Sequence, residues 1–119
     1  MFVAKCHCGD VRLVARTEPE SLTRCNCSIC HRLGALWAYY AASDVQIEAA
    51  AGALEIYRWA EETMIFHRCR RCGCTTHYTA READGDLVAL NGRMAELEAI
   101  GDIPLRDFDG RDSWRYLDE

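Results

Sequence analysis

The chain has 119 residues, half of them apolar, and a formal net charge of −5. That length suits one domain spanning residues 1–119, with a core small enough to be marginal by itself. The acidic balance argues against a partner held by phosphate contacts, so no nucleic acid is expected. No apolar run reaches the roughly 18 residues of a membrane-spanning helix, so no membrane association is expected. Met1–Lys5 runs into the first cysteine pair without a secretory leader, which predicts a cytoplasmic protein whose thiols stay reduced.

Strand patterns dominate the chain. Asp10–Arg16 alternates, with Val11, Leu13 and Ala15 on one face and Arg12 and Arg16 on the other. Ser28–Leu33 reads as one or two helical turns stopped by Gly34. Ala35–Ala42 is a continuous apolar and aromatic run, which predicts a strand covered on both faces. Val45–Ala49 and Leu54–Trp59 read as strands joined through an Ala51-Gly52 turn. Thr63–Cys69 sets Met64 and Phe66 against Ile65 and His67, and Thr75–Ala80 and Leu87–Asn91 form a hairpin about Asp84-Gly85. Arg93–Ile100 reads as a short helix ended by Gly101, and Leu105–Trp114 as a strand followed by a turn. The predicted class is mainly β: a small domain of antiparallel sheets with metal knuckles at strand ends and little helix.

Eight cysteines fall into tight clusters at Cys6/Cys8, Cys25/Cys27/Cys30 and Cys69/Cys72/Cys74. Thiols one or two residues apart can share one soft cation, and Zn²⁺ takes such sulfurs in a tetrahedron. In a reducing compartment this pattern reads as metal ligation rather than disulfide bonding. Cys69-Arg70-Arg71-Cys72-Gly73 is a zinc knuckle that needs a second pair of ligands, and Cys6/Cys8 is the two-thiol cluster able to supply it. Such a four-thiolate site would contribute to folding directly, since structural zinc is worth about as much as a whole small domain.

Cys25, Cys27 and Cys30 then form a three-ligand loop. Three protein ligands with a fourth position open mark a catalytic zinc; closure by Cys74 or His31 would instead make a second structural site. Three thiolates leave a zinc cluster with a net negative charge, which acidifies water poorly. It is better suited to holding an external thiolate that stays nucleophilic, which points to thiol addition or elimination at carbon rather than hydrolysis. Arg24, Arg32, Arg68, Arg70 and Arg71 flank the clusters and offer either solvated surface or attraction for a small anion. Trp37, Tyr39 and Tyr40 are either core or pocket wall, His7 is expected to point away from the metal, and His67 and His77 to be framework residues.

Three stretches together resemble the glutathione-dependent formaldehyde-activating enzyme family, whose domain also occurs in centromere protein V. They are Cys6-His7-Cys8-Gly9-Asp10-Val11, Arg24-Cys25-Asn26-Cys27-Ser28-Ile29-Cys30-His31-Arg32 and Cys69-Arg70-Arg71-Cys72-Gly73. The resemblance implies a β-tent fold with two zinc ions per chain. It implies a structural zinc on Cys6, Cys8, Cys69 and Cys72 and a catalytic zinc on Cys25, Cys27 and Cys30. The activity it implies is of the carbon–sulfur lyase class, the reversible addition of glutathione to formaldehyde to give S-hydroxymethylglutathione, so the partner is a small thiol–aldehyde adduct. The competing reading is a non-catalytic zinc-binding scaffold, or protein-interaction domain, with both sites closed.

Overall fold

The computed structural model describes residues 1–61, 63–83 and 85–119. In chain order the strands are β1 (Phe2–Lys5), β2 (Val11–Ala15), β3 (Leu22–Cys25), β4 (Trp37–Ala41), β5 (Val45–Ala49), β6 (Leu54–Trp59), β7 (Met64–Cys69), β8 (Thr75–Glu82), β9 (Gly85–Asn91), β10 (Leu105–Asp109) and β11 (Arg115–Tyr116). Helix α1 (Ser28–Leu33) separates β3 from β4, and α2 (Leu97–Ile100) precedes β10. The class is mainly β, and no helix among the described residues is long and apolar enough to cross a membrane.

The strands form a three-stranded sheet in the order β1-β2-β5 and an eight-stranded sheet in the order β11-β10-β3-β4-β9-β8-β7-β6. Pairing is antiparallel except between β3 and β10, which run parallel with Phe108 opposite Cys25. Strict alternation in β2 puts Val11, Leu13 and Ala15 into the core with Phe2 and Ala4 of β1. Ala38 and Tyr40 of β4 meet them from the large sheet, joined by Leu22, Leu36 and Leu90. The opposite face of β4 carries Trp37, which packs with Phe66, Tyr78 and Ala89 and with Cys27 and Cys30. Strand β4 is thus covered on both faces at Trp37 and Ala38, but Tyr39 and Ala41 are exposed, so the face towards the cysteines falls short of the two-sided burial that its continuous apolar run predicts.

Differences from the sequence expectation have local causes. Strands β1, β3 and β11 lie outside the expected elements, because they have only four, four and two residues and β3 buries two neighbours, Leu22 and Thr23, rather than alternate positions. The single helix expected over Arg93–Ile100 is instead a 3₁₀ turn at Gly92–Met94, extended backbone at Ala95 and Glu96, and then α2. The Asn91 side-chain oxygen accepts the Arg93 and Leu36 amides, and the Gly92 amide donates to the Leu36 carbonyl at 2.6 Å. These bonds anchor the segment to Leu36, just before β4, in a tight turn at the expense of a continuous helix. Of the expected Asp84-Gly85 turn, Asp84 lies outside the described residues; Gly85 opens β9 with φ of 123°.

Candidate metal centres and the cavities beside them

The first cluster is built by two tight backbone turns. Gly9 (φ 87°) donates its amide to the Cys6 carbonyl at 3.1 Å, and Gly73 (φ 79°) donates to the Cys69 carbonyl at 2.9 Å. Both glycines occupy left-handed backbone that other residues adopt only with strain. The turns bring the sulfurs of Cys6, Cys8, Cys69 and Cys72 within 4.8 Å of one another. Cys6 and Cys8 Sγ are 3.7 Å apart, and Cys8 and Cys69 Sγ 3.5 Å. A tetrahedron of thiolates around Zn²⁺ has edges of about 3.8 Å, from a metal–sulfur distance near 2.3 Å, so the donor set fits that ion. The Val11 amide adds a donor to Cys6 Sγ at 3.4 Å. Such outer contacts orient ligands and disperse thiolate charge.

The second cluster sits where β3 ends and α1 begins. Cys25 closes β3, Cys27 caps α1 by accepting the Cys30 amide at 3.5 Å, and Gly34 (φ 66°) ends the helix by donating to the Cys30 carbonyl. The sulfurs of Cys25, Cys27 and Cys30 lie within 4.8 Å of one another, and among the described residues the group contains these three side chains. The buried Trp37 indole donates from Nε1 to Cys30 Sγ at 3.3 Å. The Cys30 thiol, followed by the Cys27 and Gly110 amides, lowers the Cys25 pKa to about 6. Proximity to Cys25 and desolvation push Cys30 the other way. One thiolate therefore forms readily, while the next ones repel it unless a cation joins them, a charge balance that suits a divalent metal.

The C-terminal segment fastens this loop. The Asn26 side chain donates to Asp109 Oδ1 at 3.0 Å and accepts the Arg111 amide at 2.9 Å. Hydrogen bonds from Asn26 and Ser113 hold the Asp109 carboxyl down at about 2, so it remains an acceptor at neutral pH. Gly110 crosses directly over the cluster: a Cβ there would lie 2.7 Å from Cys25 Sγ and 3.4 Å from Cys27 Cβ. Gly110→Ala is therefore expected to displace the Cys25 thiolate and weaken metal binding at this cluster by about tenfold or more, in the range of ligand-orienting contacts. Competitive chelator titration should show one weakened site and one unaffected site. Two equally tight sites would remove this role from Gly110.

Two cavities meet at the cluster. A polar cleft of about 260 Å³ is lined by Arg24, Asn26, His31, Arg93 and Asp107 along with Cys25 and Cys30. Arg24 is committed to a bidentate pair with Asp107, at 2.7 and 3.2 Å. Arg93 donates to the Gly34 carbonyl at 2.9 Å and has no carboxylate partner among the described residues. The other cavity, about 250 Å³, is aromatic: Tyr39, Trp59, Tyr78, Phe108, Trp114 and Tyr116 surround Cys25, Cys27 and Cys30. Desolvation raises the Tyr39 and Tyr78 phenols, which therefore stay neutral.

The structure thus gathers Cys6, Cys8, Cys69 and Cys72 in one place and Cys25, Cys27 and Cys30 in another. Cys74, considered as a closing ligand for the second group, lies instead beside the first, next to the His7 backbone and the Cys72 thiol. His31 lines the polar cleft without joining the sulfurs. His67 and His77 stack at 4.2 Å within the large sheet, and burial lowers both pKa values, His77 to about 3. Tyr40 faces the other core and donates to the Thr17 carbonyl, and Trp37 is fully buried behind the cysteines, so of the three aromatics on β4 only Tyr39 lines the aromatic cavity. Among the flanking arginines, Arg68 faces Glu55 and Arg71 faces Asp10, while Arg24 reaches the cleft. The sequence reading missed Arg93, Trp59 and the C-terminal aromatics. The concentration of Phe108, Trp114 and Tyr116 near the end of the chain was the available signal.

The family model described as glutathione-dependent formaldehyde-activating enzyme matches residues 1–103, a span that includes every cysteine. A crystal structure of a Rhodobacter sphaeroides protein is similar at 27% identity with a TM-score of 0.68, covering 87% of this chain and 98% of that one. With most of its length matched, the chain belongs to the glutathione-dependent formaldehyde-activating enzyme family.

Proposed function

We propose that this chain is a cytoplasmic, single-domain zinc enzyme of carbon–sulfur lyase type, handling the adduct of glutathione or a similar thiol with formaldehyde or a related small aldehyde. The observation that carries this reading is the grouping of Cys25, Cys27 and Cys30 as three sulfurs at the junction of two cavities. Cys6, Cys8, Cys69 and Cys72 have the donor set of a structural site between the N-terminal turn and the β7–β8 connection. Zinc bound by the three-cysteine group would supply a soft Lewis-acid position for an external sulfur.

The chain's own residues prepare that position. Trp37 and Gly110 aim N–H groups at Cys30 and Cys25 and spread the thiolate charge. Arg93 gives the cleft a cationic group suited to the carboxylates of a peptide-like thiol. In the reaction, a thiol R–SH adds to the aldehyde carbon and a carbon–sulfur bond forms. The carbonyl π pair moves onto oxygen, and the thiol proton ends there. The reverse releases thiol and aldehyde, and no oxidant or reductant is consumed.

Cobalt substitution tests the reading. Adding glutathione to the cobalt form is expected to change the sulfur-to-metal absorption of one site while the other keeps its spectrum. A spectrum unchanged by glutathione would overturn the open-site reading in favour of a closed zinc scaffold.

A further inference from the structure

The family match ends at residue 103, yet Phe108, Gly110, Trp114 and Tyr116 complete the aromatic cavity. This wall reaches the cluster through the parallel pairing of β10 with β3, which sets Phe108 beside Cys25. Phe108 packs edge-on against Trp114 at 5.1 Å and Tyr116 at 5.0 Å. Trp114 has a φ of 59°, a left-handed conformation costly for a bulky residue, and is held there by its amide bond to the Asp109 carbonyl at 2.7 Å. The residue is nevertheless 71% exposed, so burial in the free protein offsets little of that strain.

Size and lining narrow the occupant. An apolar cavity of about 150 Å³ is enough to take benzene, and this one measures about 250 Å³. Among the described residues no charged side chain lines it; the cationic groups lie across the cysteines in the other cleft. Formaldehyde presents two hydrogens at its carbon and would leave the chamber unfilled. A ring attached to that carbon would lie among faces and edges that favour aromatic contacts.

We propose that the chamber walled by Tyr39, Trp59, Phe108 and Trp114 binds an aromatic substituent on the aldehyde carbon, so that the chain handles adducts of arylalkyl aldehydes with an anionic thiol. This rests on the thiol-adduct reading above and extends it to the electrophile. The step is R–SH + R′–CHO → R–S–CH(OH)–R′: one carbon–sulfur bond forms, the carbonyl π bond breaks, and the thiol proton passes to oxygen. The sulfur sits at the cysteine cluster, R extends towards Arg93, and R′ enters the aromatic chamber.

Two stable thioethers reproduce the alternatives without reacting. S-methylglutathione matches a formaldehyde adduct, and S-benzylglutathione places a ring on the same carbon. Calorimetric titration of the zinc-loaded protein is expected to show S-benzylglutathione binding at least tenfold more tightly. Trp114→Ala, at an exposed position, and Trp59→Ala, at another lining position, are each expected to cut that ratio at least threefold. Equal affinities for the two thioethers would overturn the aromatic assignment and leave the thiol reading standing. A benzyl preference that neither variant reduces would place the ring elsewhere and overturn it too. Binding of neither thioether, with no cobalt response to glutathione, would overturn both readings.

Discussion

Cys69→Ser is expected to abolish cooperative thermal unfolding, not merely to lower the midpoint. Cys69 ends β7, is almost fully buried, and brings its sulfur to 3.5 Å from Cys8, whose residue lies on the turn between β1 and β2. The cluster therefore joins the three-stranded sheet to the eight-stranded one. Structural zinc in small domains contributes an apparent ~10–16 kcal/mol, against a total stability of ~5–15 kcal/mol for a typical domain. Serine is a poor ligand for zinc, and losing one of four thiolates removes most of that contribution. Cys74 packs beside this cluster and could substitute as a ligand, so Cys69→Ser/Cys74→Ser is the stricter form of the experiment. Circular dichroism melts with metal quantified per chain give the readout. A sharp transition within a few degrees of the unaltered protein for the double variant would deny the cluster its structural role.

The cysteine clusters were legible because ligand spacing is a local property: a knuckle one or two residues wide can be read without knowing the fold. Pairing Cys6/Cys8 with Cys69/Cys72 crosses most of the chain, but ligand arithmetic bridged that distance. The walls around the second cluster offered no such shortcut. Trp114 reaches Cys25 only because β10 lies parallel to β3, and four residues without alternation give no register from which to infer that pairing. Arg93 was hidden for another reason, since Asn91 holds its backbone in a 3₁₀ turn where continuous helix was expected. On β4, alternation separates Tyr39 from Tyr40 but cannot say which face meets the cysteines. That choice depends on the small sheet covering the Tyr40 side. Local chemistry was readable; the long-range pairing that shapes the cavities was not.

Cys30→Ser should have the opposite signature to Cys69→Ser: loss of metal and function with the fold retained. Cys30 lies on α1, buried against Trp37, at the junction of the two cavities. A serine hydroxyl can still accept the Trp37 indole N–H, so the folding cost should stay near the ~1 kcal/mol of an altered hydrogen bond. Zinc at this site, left with two thiolates, is expected to weaken by several orders of magnitude. On the proposed reading, metal content should fall from two ions to one, the cobalt response to glutathione should disappear, and turnover of the thiol adduct should drop at least about a thousandfold. The decisive comparison is between the two variants. A scaffold with two equivalent structural sites would lose cooperativity in both. An enzyme with one stapling site and one working site loses it only when Cys69 is replaced, because the Cys25–Cys30 loop is already held by the α1 cap, the Asn26–Asp109 contact and the packing of Trp37.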